Sequence, residues 1–403
     1  MEIFGIISGF FLGLLAGLLP GLHSNTIAAI MLKTDFGAFF SAAAIASMAA
    51  SHSVFEFIPA IFLFIPDSET VVSVLPGHRL LMKGRGAYAL SLCAFSALFA
   101  AGFSLLLLPV AYFAMPVIYS AIEPHILWIV LLACVFLIAS ERKAREIALA
   151  LGVFLLSGLL GLFALEAPIL RDPLLPVFSG LFASAGILLS LREGGSLPKQ
   201  IEEKIEISTT YLPCVLAGVV LGMLSDLLPG ISTPAQIAVF ASAFLYLNAP
   251  RFLALVASIG VSHSLFALVA TAAIGKARTG SSIAIRELIG ASSLEQTGWL
   301  IGISILSIAI AVMALLLLSK RLAGFLSRMP MQEIGLLILA YLGFLVFLFD
   351  GPMGLLVMAT ATAIGVIPPL VGVRRTHLMG CILVPSIVSM SGFGGVFLSL
   401  VLG

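Results

Sequence analysis

Long apolar runs separated by short polar breaks dominate the chain. The apolar segments fall at about 3–19, 25–32, 38–66, 87–121, 124–140, 146–165, 174–191, 211–228, 235–247, 251–275, 299–318, 333–349, 353–371 and 378–402. A helix needs roughly 20 apolar residues to cross the hydrocarbon core of a bilayer. By that measure the pattern predicts about ten full spans and several shorter pieces, some broken by glycine or proline. The clearly polar stretch is Arg192 to Ser208 (REGGSLPKQIEEKIEIS). It divides the chain into an N-terminal transmembrane half, 1–191, a polar loop, 192–210, and a C-terminal transmembrane half, 211–403.

Composition narrows the class further. The 403 residues are 61% hydrophobic and only 10% charged, with a mean hydropathy of +1.21. A soluble chain carries about 25% charged residues, so lipid is the solvent for most of this surface. The fold class is an all-α polytopic membrane protein, placed in the cell membrane. A net charge of +1 leaves no electrostatic footprint for nucleic acid. Cys93, Cys134, Cys214 and Cys381 sit singly in apolar runs and read as small core residues, not as disulfide or metal ligands. The first apolar run lacks a basic start and a small-residue cleavage site, so it reads as a span, not a cleaved signal.

Basic residues cluster at Arg142/Lys143/Arg145, Arg192/Lys199/Lys204, Lys320/Arg321/Arg328 and Arg374/Arg375. Positive-inside reasoning puts all four on the cytoplasmic side. Arg79/Lys83/Arg85 fall on that side too, and Lys276/Arg278/Arg286 on the opposite one.

An internal repeat stands out. GLLAGLLPGL (13–22) and GMLSDLLPGI (222–231) share six of ten residues at an offset of 209. SHSVF (51–55) and SHSLF (262–266) share four of five at an offset of 211. Two motifs in one order and nearly one register point to duplication. The matching basic loops fall on opposite faces, so the two halves are expected to be inverted. Inverted repeats with interrupted helices characterise secondary transporters.

The Leu-Pro-Gly turns carry the first candidate chemistry. Proline removes a backbone donor and glycine supplies the free dihedral, so each ends its helix. Polar residues follow at once: His23, Ser24, Asn25 and Thr26 after Pro20/Gly21, and Ser232, Thr233 and Gln236 after Pro229/Gly230. A helix restarting there presents free N–H groups, which bind anions. Non-helical backbone survives at membrane depth only against protein or a water-filled cavity. The two turns are therefore expected to be broken or re-entrant elements facing each other around an anionic substrate; the bland reading is an ordinary interfacial turn.

Ser51-His52-Ser53 and Ser262-His263-Ser264 each place an imidazole in apolar surroundings. Such a histidine faces a bundle interior and serves as substrate or proton site, or simply as interhelical glue. Glu56 lies four residues after His52, on the same helical face. Its repeat counterpart is Ala267, whereas Asp226 corresponds to Gly17. Each half thus brings one carboxylate that the other lacks, and Glu56 and Asp226 are the candidate ion-coupling residues. Asp350 reads as a turn residue before Gly351-Pro352, and His78, His125 and His377 as solvated residues beside loops. No cofactor, metal or catalytic residue is expected.

At LPGLHSNT (19–26) and LPGHRLLMKGRGAYAL (75–90) the sequence resembles the large membrane subunit of the tripartite tricarboxylate transporters. Gly77, Lys83, Gly84, Arg85, Gly86, Ala89 and Leu90 match that family's basic loop. Where the family has Asn-Thr-Pro-Gly-Thr, this chain has FLFIPDSETVV (62–72). The resemblance implies a permease for a small organic anion, a carboxylate, driven by a proton or sodium gradient. It also implies a small membrane subunit and an extracytoplasmic solute-binding protein as partners. The residues alone leave a rival, a translocase of an anionic lipid-linked substrate such as a polyprenyl phosphate. An intramembrane metalloprotease is disfavoured, because His-Glu-x-x-His spacing is absent.

Overall fold

The computed structural model describes residues 2–19, 24–34, 36–63, 70, 72–166, 170–193, 198–201, 208–228, 234–244, 247–326 and 331–392. All regular structure among them is helical. The first stretch holds α1 (Glu2–Leu18), α2 (Ser24–Met31), α3 (Ala38–Phe55), α4 (Phe57–Phe62), α5 (Val74–Leu81) and α6 (Gly86–Ile122). Next come α7 (Ile126–Ala139), α8 (Ala144–Glu166), α9 (Leu174–Phe178) and α10 (Ala185–Glu193). The second half holds α11 (Leu212–Ser225), α12 (Pro234–Phe244), α13 (Ala249–Ala273), α14 (Gly280–Ile289), α15 (Leu294–Leu326), α16 (Met331–Val371) and α17 (Gly380–Met390). Among the described residues six helical stretches are long and apolar enough to cross a membrane, with four shorter apolar helices besides.

The sequence treats 333–349 and 353–371 as separate runs, and the structure agrees: α16 is two helical arms that break at Gly351, whose φ of 64° lies in the left-handed region. The two arms turn back on each other there, and a Cβ at Gly354 would sit 2.4 Å from Cβ of Asp350. Asp350 is at the turn, as expected, but buried. Its Oδ1 accepts the backbone N–H groups of Arg171 (2.7 Å) and Asp172 (2.9 Å), which ties the hairpin tip to the loop before α9.

Close backbone approach organises the core. On α1, Gly5, Gly9, Gly13 and Gly17 recur every fourth residue, so they form one stripe. That stripe lies on α3: a Cβ on Gly9 would meet the Ala44 carbonyl at 2.1 Å, and one on Gly13 the Met48 carbonyl at 2.4 Å. Without a hydrophobic drive in lipid, helices associate through such small-residue contacts and interhelical hydrogen bonds. Gly218 and Gly222 of α11 lie in the same way on Leu255 and Ile259 of α13. Both pairs run parallel, because contact positions rise together along each. α3 and α13 run antiparallel to each other: Glu56 lies beside Gly260, while Ala49 and Ala50 line one cavity with Ala267 and His263. Serines join the remaining neighbours, Ser47 Oγ to Ser307 Oγ at 2.8 Å and Ser104 Oγ to Ser262 Oγ at 3.0 Å.

The glycine stripe gives a direct expectation. Gly9→Ala should destabilise by about 1–3 kcal/mol through overpacking, read as a lower melting temperature in detergent. Gly102→Ala, with nothing within 4 Å of its Cβ position, should not. Equal melting of the two variants would refute the close-approach account.

The helices gather basic loops at one end. Ile201 N–H donates to the Gly84 carbonyl (2.7 Å), and Gln200 Oε1 accepts from Gly86 N–H (2.9 Å), so 198–201 covers the Lys83–Arg85 turn. Arg374 Nε lies 3.6 Å from Glu141 Oε1, and its guanidinium donates to the Ser140 carbonyl. Lys276 and Arg278 lie at the other end of α13, over the ring of Tyr119. One expectation fails here. His377, read as solvated, is fully buried, with Nε2 2.8 Å from Glu141 Oε1. The carboxylate comes from the α7–α8 connection and replaces the water an imidazole otherwise needs. His125 is exposed and His78 half-buried.

Candidate functional site

A small polar cavity lies where α3 and α13 cross, closed by the starts of α2 and α14. Its volume is about 30 Å³. A water occupies roughly 10–15 Å³ on that measure, so the cavity holds about two waters and no carboxylate the size of citrate. The walls are unusually polar for membrane depth. His52 and Ser53 come from α3, His263 and Ser264 from α13. Ser24 and Asn25 begin α2; Thr279, Ser281 and Ser282 begin α14.

Each histidine is buried beside a carboxylate. His52 Nδ1 lies 3.9 Å from Glu56 Oε2, one turn along. His263 Nδ1 lies 3.2 Å from Asp226 Oδ1 and 2.9 Å from Ser225 Oγ, both at the end of α11. Glu56 and Asp226 are themselves 2% and 0% exposed, so neither charge is balanced by bulk water. Asp226 Oδ2 is buried and has no hydrogen-bond partner among the described residues. The two carboxylates, which do not correspond to each other in the sequence repeat, thus each stand beside a histidine. Glu56 reaches its histidine along one helix, and Asp226 reaches across from a neighbouring one.

Helix starts complete the site. Thr279 and Ser282 cap α14 reciprocally, which fixes its first turn. Asn25 of α2 is wedged against it: Oδ1 accepts the backbone N–H of Ser281 at 3.1 Å. These caps take the N–H groups of Ser281 and Ser282, so the positive field of the helix start, not free donors, is what favours an anion there. Arg278, just before this turn, lies within electrostatic reach of Asp226 and donates to Tyr119 Oη at 3.4 Å. Sequence reasoning placed Arg278 in an outer loop and missed its closeness to the site. The helix that sets its depth ends only at Ala273, and no motif surrounds it.

Of the residues singled out in the sequence, His52, His263, Ser24 and Asn25 line the cavity. Glu56 and Asp226 sit behind the two histidines. Ser51 and Ser262 do not line it: Ser51 Oγ donates to the carbonyls of Ser47 and Phe10, and Ser262 pairs with Ser104. The second serine of each motif, Ser53 or Ser264, faces the cavity instead. Gln236 is buried in α12 and is not among the residues that line the cavity. Pro20, Gly21, His23, Pro229, Gly230, Ser232 and Thr233 lie outside the described residues, as does the side chain of Thr26.

Residues 3–380 match the tripartite tricarboxylate transporter TctA family. The chain belongs to that family. It is therefore a multi-pass membrane permease component of carboxylate transport and not an enzyme. An uncharacterized protein of Methanocaldococcus jannaschii is 25% identical over 399 residues, covering 96% of this chain and 98% of that one. No solved structure matches the chain.

Proposed function

We propose that this TctA-family chain is a secondary active transporter of a small carboxylate anion, coupled to a proton or sodium gradient and built as two inverted copies of one unit. The observation that carries the reading is the cavity lined by a histidine from each of two antiparallel helices, each histidine beside a buried carboxylate, Glu56 on α3 itself and Asp226 at the end of α11. Matching contacts support the duplication. α1 lies on α3 as α11 lies on α13, through glycines that correspond in the sequence repeat. Repeat interfaces near the midplane, with short helices aimed at the ligand, are where transporters of this type bind substrate.

In this reading the polar starts of α2 and α14 hold the carboxylate, and Arg278 draws it in. Glu56 and Asp226 take up the coupling cation or proton beside the histidines. The cavity is too small for the substrate, so the copies must part to admit it and reclose around it. Family membership implies a small membrane subunit and an extracytoplasmic binding protein as partners.

The test is uptake of labelled citrate and smaller carboxylates into proteoliposomes under imposed sodium or proton gradients. Each condition is run with and without a solute-binding protein from the same cell. Saturable uptake under one gradient only is expected, and that gradient names the coupling ion. Uptake that ignores both gradients, or none even with the binding protein, would overturn the reading.

A further inference from the structure

A second pocket, of about 560 Å³, opens at the basic end of the bundle, distinct from the central cavity. Its floor and walls are apolar: Phe182, Leu247, Phe252 and Val373. Its rim carries Arg79, Arg374 and Arg375, and among the described residues no carboxylate lines it.

The three arginines are not equivalent. Arg374 is committed to Glu141 and to the Ser140 carbonyl, and its backbone N–H also donates to Glu141 Oε1. That anchorage fixes the 374–379 turn. Arg375 is then held over α10, its guanidinium 3.4 Å from where a Cβ on Gly186 would stand. Neither Arg375 nor Arg79 has an ion-pair or hydrogen-bond partner among the described residues. Thr376 adds a buried hydroxyl Oγ1, likewise without a partner. A half-buried guanidinium beside an unsatisfied hydroxyl demands an oxyanion. The 25-residue α13 starts at Ala249 on the pocket wall, so its positive end adds to the same field.

We propose that this pocket binds the phosphate of an anionic membrane phospholipid, with Arg79, Arg375 and Thr376 on the phosphate and the apolar wall against the glycerol and first acyl carbons. Position and lining select a lipid over a soluble anion. The pocket lies where α13 starts and α16 ends, the depth of lipid headgroups, and most of its surface is apolar. Basic pockets of this kind between transmembrane helices are lipid headgroup sites.

The experiment is thermal unfolding of the purified full-length protein in detergent, titrated with phosphatidylglycerol, phosphatidylcholine or inorganic phosphate. Phosphatidylglycerol should raise the melting temperature saturably, and phosphatidylcholine should not. Arg375→Gln and Arg79→Gln should each weaken that effect about tenfold, the loss of one charge-assisted phosphate contact. Lys83→Gln and Arg142→Gln, exposed at the same end but outside the pocket, should leave it unchanged. If Arg375→Gln fails to fold, Arg79→Gln carries the test, because Arg79 is exposed. The same shift from inorganic phosphate would overturn the lipid source in favour of a free-anion site. No shift with phosphatidylglycerol, or equal weakening by Lys83→Gln and Arg142→Gln, would overturn the site itself. None of these readouts depends on transport.

Discussion

Asp226→Asn should reduce gradient-driven uptake by about 100-fold, equivalent to about 2.7 kcal/mol, and leave the protein folded. Asparagine keeps the shape of aspartate, and the site is fully buried, so packing survives. The charge opposite His263 does not. Asp226 has one oxygen on that imidazole and another without a partner among the described residues, which is the arrangement of a group that exchanges a proton or a cation. Substrate exchange across the membrane without a gradient should persist in the variant, because the anion-binding helix starts are untouched. Glu56→Gln should act in the same sense but more weakly, about tenfold, because its histidine lies 3.9 Å away. The measurement is paired uptake and exchange in proteoliposomes. Asp226→Asn taking up substrate within twofold of the unmodified protein would sink the coupling role, and loss of exchange as well would make Asp226 structural.

A disulfide between α2 and α14 should stop transport reversibly. Asn25 Oδ1 and Ser281 Oγ are 3.5 Å apart, so the two side chains face each other, and cysteines at these positions are the pair to cross-link. The double variant is made in a background lacking Cys93, Cys134, Cys214 and Cys381. Oxidation should lower uptake at least tenfold relative to the same sample reduced, since the two helix starts must separate to admit an anion larger than the cavity. Comparing the two redox states of one protein removes the effect of losing Asn25 itself. Equal uptake in both states, with the cross-link confirmed by mass, would mean that substrate enters without parting these helices.

Much of the architecture was legible because lipid imposes it. Apolar run lengths and the paired Ser-His-Ser motifs led to α3 and α13, the helices that meet at the cavity. Gly351-Pro352 marked the hairpin tip of α16. The glycine stripe of α1, at a spacing of four, is a signal that the sequence reading did not use; it marks where α3 must pack. What the sequence could not supply were partners far apart along the chain. His377 is buried because Glu141, 236 residues away, meets it. Asn25 caps a helix start 256 residues on. The serine facing each way from its histidine depends on helix rotation, which a three-residue motif does not encode.

The uneven placement of the two carboxylates has a kinetic consequence. Two identical inverted copies would make the inward- and outward-facing forms equal in energy, and the cycle would run equally well both ways. Here one acidic group rides on the same helix as its histidine, while the other reaches in from a neighbour. Moving α11 against α13 changes one pair and leaves the other intact. In the coupled carrier proposed above, the two facing forms would then differ in energy and in ion affinity, which would give it a preferred resting side.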